Sequence, residues 1–343
     1  MRMILTSILL FPAISLAIAV GLVFSQAPGR TNSVTSDGKD GAMEFSSAVE
    51  ADYSTLPGFS KWQTRAGDAL PYRAYASAGE TKRIFILLHG SGWHGMQFHP
   101  LARALADAGL GDVVVPDLRG HGFDPARRGD VDYVGQMEDD VADLIEHVQS
   151  RAQAEGQGKR QVVLLGHSSG GGLAVRFAGG KHCRMADGYV LLAPFLKYDA
   201  PTTRRNSGGW AMPAIRRIIG LSMLNSVGIT GLNHLPVIAF NMPNSVLEGR
   251  FGSSATLSYS YRLNTSYSPR RDYRADLANI RQPLLVMAGE ADEAFHADRY
   301  EAVIKPSVPQ AEFLVLPGVT HLGIVSDAMT VKGIATWLGR TEL

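Results

Sequence analysis

A single cysteine, Cys183, stands among the 343 residues. One thiol cannot close an internal disulfide, so no disulfide framework holds this fold. An excess of one charge is also missing: Lys plus Arg number 33 and Asp plus Glu 32, a formal net charge of +1. That balance offers no basic surplus to a nucleic acid and contains no acidic block that would make a charged tail. No convincing dinucleotide fingerprint follows a strand-like run, so no dinucleotide cofactor is expected. His89, His94 and His99 recur every five residues, which places them on no single helix face, and no compact His/Asp cluster of metal-site type occurs. No cofactor and no metal is therefore expected. Internal repeats are absent. What remains is 45% hydrophobic and 19% charged, a composition that buries a sizeable core and does not fit intrinsic disorder, collagen-like repeats or a coiled coil.

Charge is missing again from Met3 to Phe24, an apolar run preceded only by Arg2 and followed by Arg30. Such a run is long enough to cross a bilayer's hydrocarbon core. Residues 1–27 read either as a secretory signal peptide cut after a small residue or as an uncleaved signal anchor. Both place the rest of the chain outside the cytoplasm, exported or membrane-anchored. No cysteine follows the run, so lipid attachment at a lipobox is excluded. Residues 28–57, rich in Ser, Thr, Gly and Asp, read as a flexible linker.

Residues 58–343 read as one folded unit. Two short strand patterns, Trp62–Thr64 and Leu70–Tyr75, flank the turn at Gly67. Apolar runs of strand length follow at 83–88, 113–115, 162–165, 188–192, 283–287 and 312–316. Strands apolar at every position are buried on both faces, as in a parallel sheet covered by helices. Helical spacing recurs between them, most clearly at Val134, Met137, Val141, Leu144, Ile145 and Val148. The alternation implies an α/β fold with helices on both faces. It breaks between about 195 and 280, which is too long for an ordinary connection. From Asn206 to Leu247 the only Lys, Arg, Asp or Glu residues are Arg216 and Arg217. The segment reads as an inserted helical cap or, alternatively, as extra core helices.

The sharpest motif is Gly166-His167-Ser168-Ser169-Gly170, directly after one apolar strand and before a helical run. A serine on a tight strand-to-helix turn has a strained backbone and an exposed hydroxyl, and glycines two residues either side remove the Cβ atoms that would clash. Such a hydroxyl needs a general base and a group to orient that base. His321, in the loop after the last strand, is the candidate base. Asp292, in the loop after the strand at 283–287, is the candidate orienting acid, with Glu290, Glu293 and Asp298 as alternatives. The chain order Ser168, Asp292, His321 brings all three to the carboxyl edge of one sheet. Two backbone N–H donors are needed for an oxyanion. Ser169 supplies one and Ser91, in the loop His89-Gly90-Ser91-Gly92-Trp93, the other, with Gly92 in reserve.

With these residues the chain resembles the α/β-hydrolases, and within them the serine aminopeptidase S33 group that includes monoacylglycerol lipases and lysophospholipases. The resemblance rests on His89-Gly90, Pro116 through Gly122, Gly166 through Gly170, Asp292 and His321, and spans about Trp62 to Gly339. It implies a mostly parallel eight-stranded sheet with a cap inserted after the sixth strand. The expected activity is serine hydrolysis of a carboxylic ester through an acyl-enzyme, on a small-molecule ester or lipid. An apolar acyl chain suits the uncharged cap. Peptide or amide hydrolysis, a cofactor-free haloperoxidase side activity, and a non-catalytic binding protein on the same fold are the alternatives. The Asp117–Gly122 loop reads as structural, and Cys183 as a small core residue.

Overall fold

A computed structural model describes residues 2–29, 43–249 and 251–343, without the side chains of residues 2–12 and 48. Its strands are β1 (Ser60–Gln63), β2 (Ala69–Tyr75), β3 (Arg83–Leu88), β4 (Asp112–Pro116), β5 (Gln161–His167) and β6 (Gly188–Leu192), then β7 (Ala211–Pro213), β8 (Pro236–Phe240), β9 (Ser258–Ser260), β10 (Leu284–Gly289) and β11 (Glu312–Leu316). Eight of them form one sheet in the order β1-β2-β4-β3-β5-β6-β10-β11. β2 runs antiparallel to both β1 and β4, and every other pairing is parallel. The α/β-hydrolase expectation is met: a mostly parallel eight-stranded sheet with helices packed on it.

Side chains along a strand alternate between the faces. Ile84, Ile86 and Leu88 of β3 therefore join Val162 and Leu164 of β5 in one core cluster. Phe85 and Leu87 join Val163 and Leu165 in another on the opposite face. Helix Gln136–Ala154 contributes Val141, Leu144 and Ile145 to the first, and helices His99–Asp107 and Ala328–Leu338 contribute Leu105 and Trp337 to the second. Burial on both faces is the reason these strands are apolar throughout.

The insertion after β6 differs from an all-helical cap. It carries a small antiparallel sheet, β7-β8-β9, beside helix Ile215–Ser226. The linker expectation for 28–57 also changes. Residues 30–42 lie outside the described residues, but 43–57 pack against the domain. Phe45 is 6% exposed and lies between Trp93 and Trp210, with ring centroids 5.6 and 5.5 Å away. Tyr53 adds ring contacts to His99 and Phe251, and Met43, Val49 and Leu56 pack on the same core, so a run that is polar by composition is held by a few apolar side chains.

The N-terminal apolar run forms helix Arg2–Phe24. Its end packs on the cap, where Ala19 and Val23 cluster with Leu221, Leu224, Val237 and Tyr261, and Arg217 Nε donates to Val23 O at 3.0 Å. Among the described residues no helix is long and apolar enough to cross a membrane. Much of the stretch expected as signal or anchor, residues 1–12, has side chains outside the described set.

Candidate active site

Ser168 occupies the single position between β5 and helix Ser169–Ala178. Its φ is 54° and ψ −119°, a region L-residues rarely adopt and one that costs on the order of 1–3 kcal/mol. The surroundings impose it: Ser168 N–H donates to Leu192 O at 2.9 Å, while its carbonyl accepts from Gly172 and Phe195 N–H at 3.1 and 2.9 Å. The flanking glycines are required, because a Cβ on Gly166 would meet the Gly170 carbonyl and one on Gly170 the Leu88 carbonyl. This is the strained strand-to-helix turn expected from the motif.

His321 and Asp292 come from the loops after β11 and β10. His321 Nδ1 lies 2.8 Å from Asp292 Oδ2. Asp292 Oδ1 accepts from Ala294 and Phe295 N–H at 2.8 and 2.7 Å. A carboxylate so engaged can only accept, so Nδ1 carries the proton and Nε2 keeps its lone pair. Of the alternative acids, Glu293 Oε2 accepts from the His321 backbone N–H at 2.9 Å and Glu290 Oε2 from Gly318 N–H at 3.2 Å. Neither is bonded to the imidazole. Ser168, Asp292 and His321 are 7%, 2% and 1% exposed, so the whole set lies shielded from bulk water.

The loop after β3 carries the candidate oxyanion donor Ser91. Gly92, the reserve, is already engaged: its N–H donates to Tyr259 Oη at 2.7 Å. Tyr259 in turn bonds His121 Nε2 at 2.6 Å, and His121 Nδ1 reaches Arg119 O at 3.0 Å. The carbonyl of Arg119 must accept, which puts a proton on Nδ1 and leaves Nε2 to accept from the tyrosine. Tyr267 closes the other side by donating to the His89 carbonyl. Trp210 of the cap donates from Nε1 to Ser91 Oγ at 2.9 Å. Tyr259, Tyr267 and Trp210 all come from the insertion, so the insertion braces the loop after β3 that carries the candidate oxyanion donor. Sequence reasoning missed them, since no local pattern ties a tyrosine in the insertion to this loop.

The Asp117–Gly122 loop is structural, as expected. Asp117 Oδ1 accepts from Gly95 N–H at 2.9 Å, and Arg119 grips Asp140 through two bonds of 2.7 and 2.9 Å. Gly90, Gly92 and Gly95 have dinucleotide-fingerprint spacing, but Gly92 and Gly95 spend their N–H groups on Tyr259 and Asp117. Among the described residues no His, Cys, Asp and Glu group could hold a metal ion. Cys183 is only half-buried.

Burial sets a pH limit on this region. It depresses His89 and His167 well below the ordinary histidine value, His121 to about 4 and His94 to about 3, with the Arg128 charge adding to the effect at His94 and His121. Between the unfolded value of 6.5 and these folded values the unfolded chain binds more protons, so stability falls as pH falls. Asp117 opposes this, since burial raises its carboxyl to about 6 and the folded state takes that proton first. Burial raises Asp140 as well, but four histidines outweigh two aspartates. The thermal midpoint is therefore expected to drop steadily between pH 6.5 and 4, as read by scanning calorimetry. A flat or rising midpoint over that window contradicts the neutral assignment of these rings.

The family model described as "Serine aminopeptidase, S33" matches residues 79–325. Human monoglyceride lipase is 33% identical over 228 residues, covering 66% of this chain and 70% of that protein. Among solved structures, a soluble variant of monoglyceride lipase from Saccharomyces cerevisiae in complex with a substrate analog superposes with a TM-score of 0.63 at 18% identity, covering 83% of this chain and 96% of that one. A membrane phospholipase A, a bacterial virulence factor, gives a TM-score of 0.55 at 15% identity and covers 99% of both chains. At these identities the two structures establish a common fold.

Proposed function

The chain belongs to the serine aminopeptidase S33 family of α/β-hydrolases, and from that premise we propose that it cleaves carboxylic esters through an acyl-enzyme on Ser168. The observation that carries the reading is the pairing of Asp292 with His321 Nδ1 at 2.8 Å, together with the strained backbone of Ser168, whose preceding residue His167 reaches the His321 carbonyl at 3.0 Å. His321 Nε2 takes the proton as Ser168 Oγ attacks the acyl carbon. The oxyanion that forms receives the backbone N–H groups of Ser91 and Ser169, the latter at the N-terminus of helix Ser169–Ala178, where the helix dipole favours negative charge. His321 then protonates the leaving alcohol, and water releases the acid from the serine.

The substrate class we assign is an ester with an apolar acyl chain, of the monoacylglycerol or lysophospholipid kind. Its support is the human monoglyceride lipase relative and an insertion whose stretch from Asn206 to Leu247 carries only Arg216 and Arg217 as charges. Each methylene buried from water is worth about 0.8 kcal/mol, so kcat/KM should climb by up to about fourfold per added carbon from acetate to dodecanoate esters. A profile that is flat or falls beyond acetate removes the apolar acyl pocket from the account. Aminoacyl anilides cleaved faster than any ester would favour the amide reading that the family description brings with it.

For location we propose the cell envelope, exported or anchored through residues 1–27, with the bilayer as the partner if that segment is retained. The uncharged run Met3–Phe24 supports this. The same ester assay on fractionated cells should find activity in the envelope or exported fraction, and activity confined to the cytosol would exclude it.

A further inference from the structure

The geometry points to Gln97 as a positioning residue that fixes the oxyanion loop, the nucleophile turn and the general-base loop relative to one another through one directed chain of hydrogen bonds. The inference rests on the hydrolase reading and adds to it a residue outside the triad.

Gln97 sits in the 3₁₀ turn Gly95–Phe98 between β3 and helix His99–Asp107 and is 2% exposed. The Gly90 N–H donates to its Oε1 at 3.3 Å. Its Nε2 lies 3.0 Å from His167 Nδ1. His167 Nε2 lies 3.0 Å from the His321 carbonyl. The direction of every link follows from the last. A carbonyl accepts only, so His167 Nε2 must hold a proton. Burial and the neighbouring His321 keep the His167 ring neutral, so its Nδ1 is bare and accepts. Gln97 must therefore present its NH₂ group to His167, which turns its carbonyl oxygen toward the Gly90 N–H. Donors and acceptors match at each step, and the side-chain amide is needed because it donates at one end and accepts at the other.

Three points along this chain adjoin the proposed reacting groups. Gly90 precedes Ser91, His167 precedes Ser168, and the His321 carbonyl belongs to the general base itself. Packing leaves no slack between them. The His167 and His321 ring centroids are 4.6 Å apart, and a Cβ on Gly90 would lie 3.2 Å from His167 Nδ1 and 3.3 Å from Ser168 Cβ. With the central amide removed, buried groups on two loops lose their partners and the loops lose a common reference. Displacements of about 1 Å at reacting atoms can cost up to 10²-fold in rate.

The test compares Gln97→Met, which keeps length but neither polar end, with Gln97→Glu, which keeps the acceptor for Gly90 and, with its carboxyl ionised, loses the donor for His167. Turnover is expressed per site titrated with a fluorophosphonate, so misfolded molecules do not enter the number. The expected result is kcat per titrated site lower by about 10- to 100-fold in Gln97→Met, with a smaller loss in Gln97→Glu. KM should stay within about twofold across acyl chain lengths, as expected when acyl binding is untouched. Combining Gln97→Met with His167→Gln should cost less than the product of the two single losses, because both cut the same chain. Unchanged kcat per titrated site in Gln97→Met, even with a lowered thermal midpoint, would overturn the proposal and leave Gln97 a packing residue. Failure of the hydrolase reading is separate: wild-type protein would then titrate no sites.

Discussion

Ser168→Ala lowers kcat for ester hydrolysis by about 10⁶-fold, the scale seen when a serine nucleophile is removed from a triad that acts as a unit. The alanine protein keeps its fold. Ser168 shows no side-chain hydrogen bond among the described residues, and its backbone is held at φ 54° by the bonds to Leu192, Gly172 and Phe195, all of which survive the change. Ser168→Gly should be as inactive and more stable by about 1 kcal/mol, because glycine reaches this φ without the Cβ penalty. Loss of activity with gain of stability separates a functional strain from a structural one. Measured kcat and thermal midpoints of the three proteins check it, and a glycine protein less stable than wild type would contradict the assignment of strain at Ser168.

Asp292→Asn carries the next largest effect. Asn can still accept from the Ala294 and Phe295 N–H groups through its oxygen, so the loop after β10 keeps its shape. Its amide nitrogen then faces His321 Nδ1. Two donors cannot share one hydrogen bond, so the imidazole moves its proton to Nε2 and loses the lone pair that should take the serine proton. A wrong-tautomer lesion of this kind costs about 10⁴-fold in kcat. Glu293→Gln provides the contrast, because Glu293 reaches the His321 backbone and the Glu44 N–H and leaves the ring alone. Its loss should stay below about tenfold. Steady-state kinetics of both variants decide the matter, and a larger loss in Glu293→Gln would move the orienting role away from Asp292.

Much of this was legible in the chain because burial on two faces leaves an unambiguous trace. Ile84 through Leu88 and Val162 through Leu165 are apolar at every position over the length of a strand, as a strand covered on both faces requires. Ser168 was legible for a related reason, since a turn that excludes Cβ atoms writes glycines into the sequence at fixed offsets. Asp292 was less so. Four acids lay within one stretch after β10, and which of them meets His321 depends on side-chain directions that spacing does not encode. The sheet in the insertion was hidden because β7 is only three residues long, ends in Pro213, and pairs with β8 across an intervening helix. Phe45 gave no signal, being one aromatic in a polar run whose partners Trp93 and Trp210 are far along the chain. Gln97 could have been found: it is the lone polar residue between Met96 and Phe98 in a buried turn, and a buried amide demands partners.

The account stands on Ser168 as the residue that becomes acylated. Intact-mass spectrometry after treatment with a fluorophosphonate addresses this directly, followed by peptide mapping. One equivalent of adduct on the peptide containing Ser168, absent from Ser168→Ala and slowed in Asp292→Asn, is the expected result. Folded wild-type protein that takes up no adduct, or a Ser168→Ala protein that is labelled as fast as wild type, would contradict it.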